Sequence, residues 1–156
     1  MTPAELPAYL RRLGRDVRDR GALDAADAMA ASFQRSVVLS MTGPSPSAPG
    51  TPPARRTGTL ARSVRAEPAK VVGDGRATSS VAPHTVYARI QQLGGDIYPV
   101  RAKALRWQDK SGVHFARHVR LPARPYMVMT DERRRDCRSA AIAAVERVVR
   151  EALANG

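Results

Sequence analysis

His114 and His118 stand four residues apart, with His84 further upstream, and a neutral imidazole is a common ligand of zinc-like ions. Geometry argues against a shared metal. The segment around them alternates apolar and polar residues as a strand does, and two strand residues four apart have Cα atoms about 13 Å apart, too far for both rings to reach one ion. A solvated polar edge that gains charge below about pH 6.5 fits better. Cys137, the single cysteine, would need a nearby base to act as a nucleophile. Its neighbours Arg134, Arg135 and Arg138 mostly fall off its own helical stripe, so it reads as a small buried hydrophobe. Ser63, Ser79 and Ser80 lack an elbow or a Ser-x-x-Lys context, and Gly73-Asp74-Gly75 has no following helix to cradle a phosphate. No catalytic group, cofactor site or metal site is expected, and the chain does not read as an enzyme.

Basic side chains are the chemistry this sequence does hold, with 26 Lys and Arg against 14 Asp and Glu and a net charge of +12. They are unevenly spread. Residues 101–124 carry seven of them, Arg101, Lys103, Arg106, Lys110, Arg117, Arg120 and Arg124, against the single acid Asp109. Such a field suits a phosphate backbone or an acidic protein surface, and either association would weaken with salt. Arg101, Lys103, Arg106, Lys110 and Arg120 are therefore expected to contact a channel or a partner, since so much unneutralised charge is rarely buried. Because 23 of the 26 basic residues are Arg, Arg-rich composition also supports the plainer alternative of a generic basic surface.

One domain is expected from 156 residues. Its core must rest on small aliphatic residues, with only two Phe, four Tyr and one Trp available, and a lean core of that kind suits a subunit stabilised by neighbours. No stretch approaches the roughly 18 apolar residues of a membrane span.

Three stretches position these residues: a helical region over 1–41, a Pro-rich linker or loop over 42–57, and an α+β core over 58–156. In the first, Leu6, Leu10, Leu13 and Val17, then Ala22, Ala26, Met29, Phe33 and Val37, recur at helical spacing, with a bend or break expected near Gly21. In the second, TGPSPSAPGTPPARRT holds five prolines and excludes regular structure; it is either a passive spacer or an arm that orders on a neighbour. In the third, a short helix or turn over 58–64 leads to a hairpin of 69–72 with 77–81. A helix over 85–93 ends at Gly94-Gly95. Strands 97–107 and 113–121 follow, joined by a turn over 108–112. Val113, Phe115, Arg117, Val119 and Leu121 would then share one face, and His114, Ala116, His118 and Arg120 the other. Trp107 is expected in the core. A final helix from Asp131 to Ala154, capped by Thr130, should pack its apolar stripe of Cys137, Ala141, Val145, Val148 and Ala152, joined by Ile142, Val149 and Leu153, on the sheet. The fold class is thus α+β, with a small mixed or antiparallel sheet packed by a long N-terminal helical region and a C-terminal helix.

YARIQQLGG at 87–95, AKALRW at 102–107 and LPARPYM at 121–127, in that order, resemble the phage virion morphogenesis family of tail completion proteins, related to protein G of phage Mu and to head-tail joining neck proteins. The resemblance covers residues 58–150. Its motif positions here are Tyr87, Gln91, Gly94, Gly95, Pro122, Arg124, Pro125 and Tyr126, with Gln91 where His is common, Leu93 where Phe is common and Tyr126 where Phe is common. Arg124, on a stiff corner between Pro122 and Pro125, suits either a clamp within the subunit or a contact to a neighbour.

The resemblance implies a structural, non-enzymatic virion protein made in the host bacterial cytoplasm and located in the tail neck. It would form a ring at the head-proximal end of the tail, of six copies by analogy with six-fold tails. Its partners would be itself, neighbouring neck and tail tube proteins, and, without sequence preference, DNA passing through the channel. The alternative is a free basic nucleic-acid-binding protein, for which no helix-turn-helix, zinc or aromatic-platform pattern is present.

Overall fold

The structure, a computed structural model, describes residues 4–43, 47–109 and 111–154. Helix α1 runs unbroken over Leu6–Ser40, so of the bend or break expected near Gly21 the break does not occur. Close helix packing explains the difference. Gly21 is buried, and a Cβ placed on it would lie 3.9 Å from Val145 Cγ2 on α4 (Asp131–Ala154). That is an ordinary van der Waals distance, so the packing does not require the glycine; the extensive contact of α1 with α4 along its length offsets the roughly 1 kcal/mol that Gly loses to Ala in a helix.

The α1–α4 pair is the most extensive contact between elements. Helix α4 therefore packs on α1, and not chiefly on a sheet as its apolar stripe suggested. Cys137, Ala144 and Val148 are buried, whereas Ile142 and Leu153 stay 50% and 59% exposed. The Cys137 thiol lies 3.5 Å from the Met29 carbonyl of α1, the position of a small hydrophobe between helices. Thr130 caps α4 as expected, its hydroxyl accepting from Arg133 N at 3.2 Å and its carbonyl from Arg134 N at 2.9 Å.

Between the long helices the chain forms α2 (Thr59–Ser63), α3 (Ala88–Leu93) and eight short strands. The strands pair antiparallel in twos: β1 (Val64–Ala66) with β4 (Val81–Pro83), β2 (Lys70–Gly73) with β3 (Arg76–Thr78), β5 (Gly95–Ile97) with β8 (Val119–Leu121), and β6 (Leu105–Asp109) with β7 (Gly112–Ala116). The class is α+β. Val37, Met41, Ala61, Val64 and Tyr126 form a buried cluster where the end of α1 meets α2 and β1, with Phe33, Leu60 and Met127 packed against it.

The two long strands expected over 97–107 and 113–121 are instead an inner ladder, β5–β8, and an outer one, β6–β7. Residues 98–104 separate them on one side and Arg117-His118 on the other. Pro99 in the first interval cannot donate to a ladder, which favours the interruption. The outer hairpin projects: β6 and β7 pack extensively on each other and little on anything else. Val119 and Leu121 are accordingly half-buried, but Val113 and Phe115 are 45% and 68% exposed, so the expected continuous apolar face is covered only at its inner end.

The Pro-rich stretch has no helix or strand over residues 47–57, and it is fastened to the body. Gly50 N donates to Ala123 O at 2.9 Å, and Pro53 is buried.

Candidate functional site

Residues of the YARIQQLGG and LPARPYM segments meet in a single clasp. Helix α3 ends at Gly94 with φ 70° and ψ −177°, backbone angles essentially reserved for glycine. A Cβ there would fall 2.6 Å from Ala123 N and 2.9 Å from Leu121 O, so the corner that contains Pro122 crosses directly over it. Gly95 opens β5 opposite Leu121. The Gln91 carbonyl accepts from Arg124 N at 2.9 Å. The Gln92 side-chain oxygen accepts from Tyr126 N at 2.9 Å and Met127 N at 3.0 Å, satisfying two donors just past Pro125. Tyr126 is buried and donates its hydroxyl to Ala88 O at 3.3 Å. Burial raises its phenol pKa, and Tyr87 nearby adds to the rise.

Arg124 acts as a clamp within the subunit, its Nε and Nη2 both donating to Ser47 O at 3.3 Å. It ties the Pro-rich segment to the corner. Arg133, buried at the first turn of α4, holds the corner from below: Nη1 donates to Tyr126 O at 2.8 Å and Val128 O at 2.6 Å, and Nε to Ser36 Oγ at 2.9 Å. Its guanidinium also lies 5.7 Å from the Phe33 ring centroid. Burial lowers the Arg133 pKa, yet an arginine stays protonated under ordinary conditions.

The basic hairpin is a separate neighbourhood. Arg101, Lys103, Arg106, Arg117 and Arg120 are exposed, and none makes an ion pair among the described residues. Lys110 lies outside the described residues. The cations do not form one row: Arg106 stands opposite Phe115, and Arg120 opposite Asp96. Trp107 is not in the core. It is 41% exposed and stacks on His114 across the ladder, with ring centroids 5.3 Å apart, because the outer hairpin leaves the body before it.

Each histidine faces its own acid, and His114 and His118 are hydrogen-bonded to theirs. His114 Nε2 is 2.9 Å from Asp109 Oδ1, His118 Nε2 is 2.7 Å from Asp96 Oδ1 while its ring stacks on Tyr98, and His84 Nε2 lies 3.8 Å from Glu67 Oε1. The two hairpin histidines thus do not converge on a common point. Hydrogen bonds from the Ser111 hydroxyl, then from His114 and the Ser111 amide, pull the Asp109 pKa from 3.8 down to about 2. A carboxylate with a depressed folded pKa contributes stability that is full above its unfolded value and lost as pH falls through the folded one. Order at the hairpin tip should therefore survive at pH 4 and disappear towards about pH 2. A carboxyl-carbon NMR titration checks this; a midpoint for Asp109 near 3.8 would show that the bonds do not hold the charge.

Of the sequence-selected positions, Tyr87, Gln91, Gly94, Gly95, Pro122, Arg124, Pro125 and Tyr126 come together in the clasp, and Arg101, Lys103, Arg106 and Arg120 lie on the projecting hairpin. Gln92 and Arg133 were not singled out. Gln92 was hidden by its neighbour Gln91, but Arg133 had a signal: it precedes Cys137 by four residues, which puts it on the buried stripe of α4. Among the described residues no helix is long and apolar enough to cross a membrane. Comparison with protein-family models, curated proteins and solved structures finds no match to this chain.

Proposed function

We propose that the chain is a phage tail completion or head-tail joining subunit, working as a ring in the neck at the head-proximal end of the tail. The observation that carries this is the clasp. The segments that resemble the tail completion family are 26 residues apart between Gly95 and Leu121, yet they bind each other through Gly94, Gln91, Gln92 and Tyr126. Mutual dependence of that kind gives the motif a structural reason to exist as a unit. The projecting hairpin, with unpaired cations and an exposed Phe115, supplies a surface for the next neck layer or for DNA in the channel.

Replacing Lys103, Arg106 and Arg120 together with Ser tests the hairpin's part. Each exposed change should shift stability by less than about 0.5 kcal/mol. The yield of joined, infectious particles should fall about tenfold, the equivalent of about 1.4 kcal/mol of docking free energy. An unchanged yield would reduce the charge to a solvated surface. The same unpaired cations favour a second reading, a free nucleic-acid-binding protein. In that case the triple variant would lose duplex affinity and the binding would have a shallower salt dependence.

A further inference from the structure

Two guanidiniums, Arg55 near the end of the Pro-rich segment and Arg62 in α2, converge with no acid to neutralise them among the described residues. A Cβ placed on Gly58 would fall 2.7 Å from Arg62 Nη1 and 3.3 Å from Arg55 Nε, so the two side chains close over the same bare backbone point. Gly58 has φ 76°, which an L side chain rarely adopts, and a methyl group there would occupy the space the arginines enclose. Neither Arg55 nor Arg62 makes an ion pair among the described residues. Like charges held together repel, and an oxyanion placed between them removes that repulsion while accepting charge-assisted hydrogen bonds.

Arg55 lines a cavity of about 410 Å³ together with Arg56, Arg124, Leu60 and Tyr87, Arg62 approaches its wall at Gly58, and among the described residues no acidic side chain lines it. Its concavity chooses the ligand. A duplex presents its phosphates on a convex surface and calls for protruding cations, which the hairpin supplies. A recess lined by guanidiniums together with an aliphatic and an aromatic side chain suits a peptide that alternates carboxylates with apolar residues. We propose that this cavity is a docking site for an acidic, aliphatic-flanked peptide segment of a partner protein, with Arg55 and Arg62 taking a carboxylate and Leu60 and Tyr87 its apolar neighbour. The site belongs to the single subunit and does not depend on ring formation.

Fluorescence anisotropy of the full chain with a capped, labelled peptide of alternating Glu and Leu tests it, beside the same peptide with Gln for Glu. The Glu peptide should bind and the Gln peptide should not, and R55Q/R62Q should weaken binding at least about tenfold through loss of two charge-assisted contacts. Thermal unfolding of the double variant should match the parent, since both side chains are at the surface. Equal binding of the two peptides, undiminished binding to the folded double variant, or no binding of the Glu peptide at millimolar concentration each overturns the proposal. A short DNA duplex that displaces the peptide, and itself loses affinity in R55Q/R62Q, would overturn it in favour of phosphate.

Discussion

Gly94→Ala is expected to destabilise the protein by about 3–5 kcal/mol, because it adds backbone strain to a steric collision that no rotamer relieves. The collision is with main chain: Ala123 N at 2.6 Å, Leu121 O at 2.9 Å and Ala123 Cα at 3.1 Å from the new methyl. Relief would require the corner to lift from α3. That movement would break the bond from Arg124 N to Gln91 O and draw Tyr126 from the core. For a chain of this length the loss corresponds to a fall in Tm of about 10 °C. Gly14→Ala is the control, being exposed with nothing within 4 Å of the added Cβ. It should raise stability by up to about 1 kcal/mol through helix propensity alone. A Gly94→Ala protein that melts with the parent would show that the corner does not bear on α3.

Arg133→Met is expected to lose about 3 kcal/mol in urea unfolding. Methionine keeps much of the volume and lies comfortably in a helix, so the substitution isolates the polar contacts. The carbonyls of Tyr126 and Val128 and the Ser36 hydroxyl all lose the donor that serves them. Each polar group left unpaired in a buried place costs roughly 1–3 kcal/mol. Arg134→Met, one position along, is the contrast. Its ion pair with Asp131 is 2.8 Å long but widely exposed, and such pairs are worth less than about 1 kcal/mol. Equal effects of the two substitutions would mean that the buried guanidinium is not what anchors the corner to α1.

How far the sequence revealed these features follows from which physical signal each one used. Periodicity and capping are local, so α4, its Thr130 cap and the β2–β3 hairpin were legible. The continuity of α1 was not, since Gly21 reads as a helix weakness unless the extensive packing of α1 on α4 is known. Phe115 and Trp107 looked like core residues because alternation tells which residues share a face, and not whether anything covers that face. The clasp was legible as a set of positions through the resemblance, but its bonds were not: Gln92, not Gln91, provides the side-chain acceptor. The pair at Gly58 was invisible too, as Arg55 and Arg62 are seven residues apart and meet only through the turn at that glycine.

The proposed role, a ring subunit of the phage neck, can be put to an electron-microscopic reconstruction of the particle's neck. It predicts a closed ring of this chain, of six copies, at the head-proximal end of the tail, with the hairpin of Arg106 and Phe115 turned to the lumen or to the adjoining layer. A mature particle with one isolated copy, or with none, would contradict it.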